Sequence, residues 1–268
     1  MSTKKKNADY LKQGGILAMA SLIVRIIGMV YRIPMSNILG EEGNGIYAVA
    51  FEIYDLILII SSYSLPLALS KMISARQANR EHKNTGRILK VALRFAIISG
   101  GAFALILFFG AGVIEHTIYP EYSGVQIPLR VLAPTIFIVA LLGVFRGFFQ
   151  GLQNTLPTAV SQIVEGLINA IMSVVFAYFL FDFGHGMDVA GGTTDLGYAW
   201  GAAGGAIGTG AGALAGLIFC FILFVAYRKI LAVNISRDKT GTQQEYGDIF
   251  RLMLSIALPV ILSTALYN

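Results

Sequence analysis

The chain alternates long apolar runs with short polar breaks. Seven runs stand out, at residues 14–38, 45–69, 91–115, 127–149, 158–181, 199–226 and 249–268. A helix rises about 1.5 Å per residue, so about 20 residues cross the roughly 30 Å of hydrocarbon in a bilayer. The pattern predicts seven transmembrane helices. The seventh run reaches residue 268 without a polar tail and is expected to be incomplete.

The polar breaks carry a sign. Lys4, Lys5, Lys6 and Lys12 precede the first run. Lys71, Arg76, Arg80, Lys83, Arg87 and Lys90 fill the second break, Arg146 opens the fourth, and Arg228, Lys229, Arg237 and Lys239 lie in the sixth. The intervening breaks, 39–44, 116–126 and 182–198, hold no lysine or arginine; they carry Glu41, Glu42, Glu121, Asp182, Asp188 and Asp195. Lysine and arginine favour the cytoplasmic side, so the N-terminus is expected in the cytoplasm. The organisation that follows is a basic cytoplasmic tail (1–13), a six-helix bundle (14–227), a cytoplasmic linker (228–248) and the start of a second bundle (249–268). The basic residues of the 70–90 break suit anionic lipid headgroups, at about 1 kcal/mol each, although setting topology is the simpler and preferred account.

Composition agrees with a membrane solvent. The chain is 56% hydrophobic and 13% charged, against about 25% charged in a soluble domain. The first run is too long for the apolar core of a signal peptide, and no A-x-A-like cleavage site follows it. Cys220 is the single cysteine, which excludes an internal disulfide and a cysteine metal cluster. His82, His116 and His185 lack ligand spacing, and no HExxH, P-loop or nucleophile beside a histidine is present. The sequence points to a non-enzyme of the plasma membrane with no cofactor, no metal and no nucleic-acid partner.

Charges inside the spans are costly and are candidates for function. Helix 1 carries Arg25 and Arg32, seven apart on one face; helix 2 carries Glu52 and Asp55, three apart on one face. Counted from the span ends, Arg32 lies near the depth of Glu52, and Arg25 near that of Asp55. Two arrangements fit: ion bridges between helices 1 and 2, or a charged wall of a water-filled cavity in which Arg25 meets an anionic substrate. Helix 5 carries a stripe of Gln162, Glu165, Asn169 and Ser173, which must face other helices or a cavity. Glu165 fits either an ion-coupling carboxylate or a protonated one hydrogen-bonded to a neighbour. On helix 6, Gly204, Gly208, Gly212 and Gly216 repeat every four residues and predict close approach of another backbone. Pro34, Pro66, Pro134 and Pro259 each remove a backbone hydrogen bond and predict bent or broken helices.

Three segments resemble the SpoVB/MurJ-like flippases of the multidrug/oligosaccharidyl-lipid/polysaccharide (MOP, MATE-like) superfamily. They are VRIIGMVYRIPMSNILGEEGNGIYAVAFEIYD at 24–55, SLPLALSKMISARQANRE at 64–81 and RGFFQGLQNTLPTAVSQIVE at 146–165. The last is similar to the RGxFQGxQNxxPxAxSQxxE segment of the SpoVB-type branch. The resemblance implies an all-helical fold of two lobes around a cationic cavity. It also implies transport of lipid-linked, pyrophosphate-bearing oligosaccharides, including lipid II, by alternating access without ATP. Arg25 matches the cavity arginine of helix 1, and Arg32 is displaced by one position from the second. The arginine that such flippases place in mid-helix 2 is absent here, where Ile57 and Leu58 follow Asp55. Gln150, Gln153, Asn154 and Glu165 match the third segment. LPVILSTALYN at 258–268 looks like the start of a second lobe. The expected chain is thus one lobe, truncated within the next, needing a missing C-terminal lobe or a second copy as partner. A cation-coupled multidrug exporter, for which Glu52, Asp55 and Glu165 speak, and a non-transporting scaffold are the alternatives.

Overall fold

The structure is a computed structural model describing residues 3–191 and 196–267. Several side chains that enter the charge alternation, those of Lys4, Lys5, Lys6, Lys12, Asp188 and Asp195, lie outside the described residues. The described chain is helical almost throughout: α1 (Thr3–Leu58), a π-helical turn (Ile59–Tyr63), α2 (Leu65–Ala78), α3 (His82–Thr117), α4 (Gln126–Gly151), α5 (Leu156–Gly191), α6 (Leu196–Ser236) and α7 (Tyr246–Tyr267). Among the described residues, six helical stretches are long and apolar enough to cross a membrane.

The first of these, Gln13–Ala78, has 66 residues and would measure about 100 Å if straight, three times the hydrocarbon thickness. It is not straight. Gly40 has φ 63° and ψ −167°, a conformation essentially restricted to glycine. Met35 and Tyr47 would stand about 18 Å apart along one helix. Both nonetheless approach Gly205 of α6, so the chain doubles back at Gly40. Asn44 Nδ2 closes the bend by donating to Ser36 O at 3.1 Å and to Gly40 O. The stretch therefore makes two passes, matching the two runs seen in the sequence.

A second irregularity precedes Pro66, which lacks an N–H and crowds the carbonyl four residues back, that of Ser62. The helix widens there into the π turn Ile59–Tyr63 and restarts as α2 with Pro66 in its first turn. By contrast, Pro34, Pro134 and Pro259 sit inside helices that continue past them.

Glycines set two close seams. On α4, a Cβ at Gly147 would lie 2.7 Å from Pro66 O, and one at Gly151 2.6 Å from Ile73 Cβ, so α2 seats against bare backbone. On α6, a Cβ at Gly204 would strike the backbone of Phe176, one at Gly208 would strike Ser173, and one at Gly212 would lie 2.6 Å from Glu165 O. The glycine stripe of helix 6 thus receives α5 along about two turns, as its period predicts.

The core forms two main layers. One joins Leu65, Leu69 and Ile73 of α2 to Ile88 of α3, Phe148 of α4 and Ile249 of α7. The other joins Ile46, Ala50 and Tyr54 of α1 to Leu107, Leu129, Leu132 and Ala202. The outward faces are apolar too: Ile98 and Phe109 on α3, Phe179 on α5 and Ile222 on α6 are more than half exposed. Such a surface belongs against lipid.

The polar breaks are shorter than the hydropathy pattern suggests. The 70–90 break is largely helix: α2 runs to Ala78 and α3 starts at His82, leaving three residues. Likewise α6 continues to Ser236 and α7 starts at Tyr246. A helix leaving the bilayer keeps its own hydrogen bonds, so the apolar run marks the membrane and not the helix end. The linker 237–245 is pinned to the start of α3. Lys83 N–H donates to Asp238 Oδ2 (2.7 Å), Gln244 N–H donates to Asn84 Oδ1 (3.0 Å), and Arg87 donates to Gln244 O (2.6 Å).

Candidate functional site

The hairpin of α1 presents four charged side chains to the outside of the bundle. Arg25 and Arg32 are exposed on the first arm, Glu52 and Asp55 on the second. The first arm leans on the bundle through Ala20, Val24 and Met35, with Val24 seated 3.2 Å from the Cβ position of Gly166. Arg25 and Arg32 each follow a residue of the packed line, Val24 and Tyr31, and so point about 100° away from it. On the second arm, Ile46, Val49, Ala50 and Tyr54 are buried, and Glu52 and Asp55 fall on the other side. Arg25 and Asp55 each stand fifteen residues from Gly40, about 22 Å along their arms. Among the described residues the ion pairs within 4.0 Å are Arg76–Glu81 and Arg146–Glu165. Bridges of Arg32 with Glu52, or of Arg25 with Asp55, are not formed. All four charges are exposed within a stretch long and apolar enough to cross a membrane.

The α5 stripe turns inward. Glu165 meets Arg146 of α4, whose terminal nitrogen donates to Glu165 Oε2 at 2.6 Å while its Nε donates to Ser161 Oγ at 2.9 Å. Tyr54, buried on α1, stands beside both Asp55 and Glu165. Asn169 Oδ1 lies 2.7 Å from Ser173 Oγ and 3.5 Å from Thr209 Oγ1 of α6. Ser173 Oγ is also 3.0 Å from the Gly205 carbonyl. Thr209 in turn neighbours Tyr47, which sits against Tyr31 close to the Arg32 charge. Polar groups therefore run from Arg32 through Tyr31, Tyr47, Thr209 and Asn169 to Ser173. Gln162 Oε1 is buried without a partner.

Arg146 was not among the residues the spans pointed to, because its charge sign assigned it to a loop. It lies inside α4, five residues before the helix end, and its side chain is turned into the bundle. The signal was present in the third quoted segment, where Arg146, Ser161 and Glu165 occupy the R, S and final E positions.

At the opposite end of the spans, Glu115 closes α3 onto α4. Its carboxylate accepts from Gln126 N–H at 2.7 Å and satisfies a free N–H at the α4 N-terminus.

This arrangement of helices is that of a known transporter class. An outward-facing multidrug resistance MATE family transporter of the MOP superfamily superimposes with a TM-score of 0.69 at 17% identity, covering 94% of this chain and 52% of that one. The fold is therefore shared with about half of that transporter's chain, and the apolar helices belong to a multi-pass protein of the cell membrane. The sequence profile of the polysaccharide biosynthesis protein family matches residues 10–266, and the chain belongs to that family. Stage V sporulation protein B of Bacillus subtilis (strain 168) is 29% identical over 254 residues, 93% of this chain and 45% of that protein. Lipid II flippase MurJ of the same organism is 26% identical over 281 residues, 98% of this chain and 48% of that protein. The chain spans about half the length of these relatives.

Proposed function

We propose that this chain forms one lobe of a flippase. It moves a lipid-linked, pyrophosphate-bearing oligosaccharide, lipid II or a related cell-wall intermediate, from the inner to the outer leaflet by alternating access. The observation that carries this reading is the exposure of Arg25 and Arg32 on the first arm of the α1 hairpin, in a stretch apolar enough to cross a membrane and, among the described residues, without an ion-pair partner. Unpaired guanidinium groups are expensive in a bilayer, and a pyrophosphate supplies pairs of anionic oxygens that accept both N–H bonds of their planar fork. The lipid tail stays in the bilayer while the headgroup crosses along the charged face. The N-terminus is cytoplasmic in this reading, from the charge alternation of the breaks. Because the chain spans about half of its relatives, the opposite wall comes from a second lobe, supplied by a longer chain or a second copy. Glu52 and Asp55 are exposed on the second arm of the hairpin and Glu165 and Asn169 lie on α5; these take the ion-coupling role.

The test replaces Arg25 and Arg32 with alanine in cells that depend on this protein, and measures lipid-linked sugar reaching the outer leaflet. Arg25→Ala is expected to lower export by about tenfold, the equivalent of about 1.4 kcal/mol, at unchanged protein level. Unchanged export overturns the assignment of Arg25. Exposure of Glu52 and Asp55 favours a second reading, cation-coupled drug export. In that case Glu52→Gln and Asp55→Asn abolish dye efflux, while Arg25→Ala leaves it intact.

A further inference from the structure

We propose that the cavity beside the α2–α3 turn is a binding site for a phosphate-bearing anion. It lies away from the α1 hairpin, at the end of the bundle where lysine and arginine gather. Its volume is about 500 Å³, within the range of small-ligand pockets. Three separate parts of the chain bring cations to it: Arg80 from the turn, Arg237 from the end of α6, and Lys239 from the linker. His82, Asn234, Asp238 and Thr240 complete the wall. All three cations are exposed, and among the described residues none is in an ion pair within 4.0 Å.

Two acids lie at or near this wall, and both are engaged in hydrogen bonds of the turn and the linker. Asp238 borders the cavity but is only 6% exposed. Its Oδ2 accepts from Lys83 N–H at 2.7 Å, and its Oδ1 accepts from Thr240 N–H at 2.9 Å and Thr240 Oγ1 at 2.6 Å. Glu81, next to Arg80, accepts from Arg76 (3.3 Å), Asn84 (2.8 Å) and Asn79 (3.4 Å). Both carboxylates thus brace the turn and the linker, and the lining sets three cations against the one carboxylate of Asp238. Arg80 is held at φ 61°, an uncommon conformation for a residue with a side chain. The bonds Arg80 N–H to Gln77 O (3.1 Å) and Glu81 N–H to Arg76 O (2.9 Å) fix it there. Two guanidinium groups and an ammonium converging on one concavity match a phosphate, which accepts several charge-assisted bonds at once.

Arg237 follows the apolar run ending at residue 226 by eleven residues, about 16 Å of helix. The headgroup layer accounts for about 5–7 Å on each side of the hydrocarbon. A soluble phosphate or phosphoester reaches the site from water. A lipid phosphate reaches it only where tilt of α6 brings that end down to the headgroups. The chemistry is shared, and the test separates the sources.

The full chain is placed in phosphatidylcholine nanodiscs, and saturable binding of radiolabelled inorganic phosphate is measured at fixed ionic strength. In a second arm, nanodiscs containing phosphatidylglycerol are compared with phosphatidylcholine alone, reading enrichment of phosphatidylglycerol around the protein. Binding in at least one arm is expected. Arg237→Glu with Lys239→Glu weakens it by about tenfold, whereas Lys71→Glu, a basic site on α2 outside the cavity, leaves it within about twofold. Binding only in the first arm assigns a soluble phosphate, and only in the second a headgroup. Should the reversed pair fail to fold, Arg237→Gln with Lys239→Gln is the replacement, with a smaller loss expected. Absence of saturable binding in both arms, binding untouched by the paired substitutions, or equal weakening by Lys71→Glu overturns the proposal.

Discussion

Arg146 and Glu165, nineteen residues apart and on different helices, are joined at 2.6 Å, with side chains only 15% and 29% exposed. Their bond ties α4 to α5 beside the tight α5–α6 seam, and Ser161 fixes the guanidinium from a second direction. Removing one partner leaves the other charge largely enclosed and uncompensated.

Glu165→Ala and Arg146→Ala are therefore each expected to destabilise the bundle by about 2 kcal/mol. The double substitution should cost less than the sum of the two. Thermal unfolding in detergent, arranged as a double-mutant cycle, measures this. A coupling below about 0.5 kcal/mol would mean the two sites behave independently.

Gly40→Ala tests the bend in α1. The Cβ has room, since the nearest atom, Tyr198 Cε1, is 3.8 Å away. The cost is in the backbone, where φ is 63°, and should be about 1–3 kcal/mol. Gly28→Ala, with nothing near its Cβ position in the same helix, should be neutral or slightly stabilising. Comparison of the two unfolding temperatures separates bend strain from a general effect of alanine.

Gly208→Val tests the α5–α6 seam. Its Cβ would run into the hydroxyl and the backbone of Ser173, and the backbone cannot rotate out of the way. The loss should reach or exceed the about 1–3 kcal/mol typical of overpacking. The yield of monodisperse protein should fall with it. Gly110→Val, at an open position on α3, should leave both unchanged.

Asp238 gives the linker a defined acid limit. Hydrogen bonds from Lys83 N–H and from Thr240 lower its pKa from 3.8 to about 2. A lowered carboxylate stabilises the fold fully above its unfolded value and loses that contribution as pH falls through the folded one. Protection of residues 237–245 from proteolysis should therefore be constant from neutral pH down to about pH 4 and decline toward pH 2. Asp238→Asn should show the reduced protection already at neutral pH.

The number of spans was legible because the bilayer dictates it. A stretch such as 91–115 has no polar alternative and must be helix inside hydrocarbon. The helix ends were not legible, because water does not stop a helix. Ala78 and Ser236 lie beyond their apolar runs, where only capping and packing decide. The stripe Gln162–Glu165–Asn169–Ser173 could be placed on one face from its spacing, but its partners on α4 and α6 could not. Periodicity reports on a single helix, whereas Arg146 meets Glu165 across a turn. Gly143, Gly147 and Gly151 on α4 repeat every four residues as plainly as the glycines of α6. Their partner, the restart of the chain at Pro66, depends on how three helices meet.

The glycine stripe of α6 also constrains how this chain can change length. A residue inserted within α6 ahead of Gly204 turns everything beyond it by about 100°. Bulky side chains then stand where Phe176, Ser173 and Glu165 now touch bare backbone. The same insertion in the linker 237–245 shifts no such register. Indels in descendants of this sequence should therefore be purged from the helix and accumulate between helices, and an alignment gap inside 196–216 would signal a protein that packs these two helices differently.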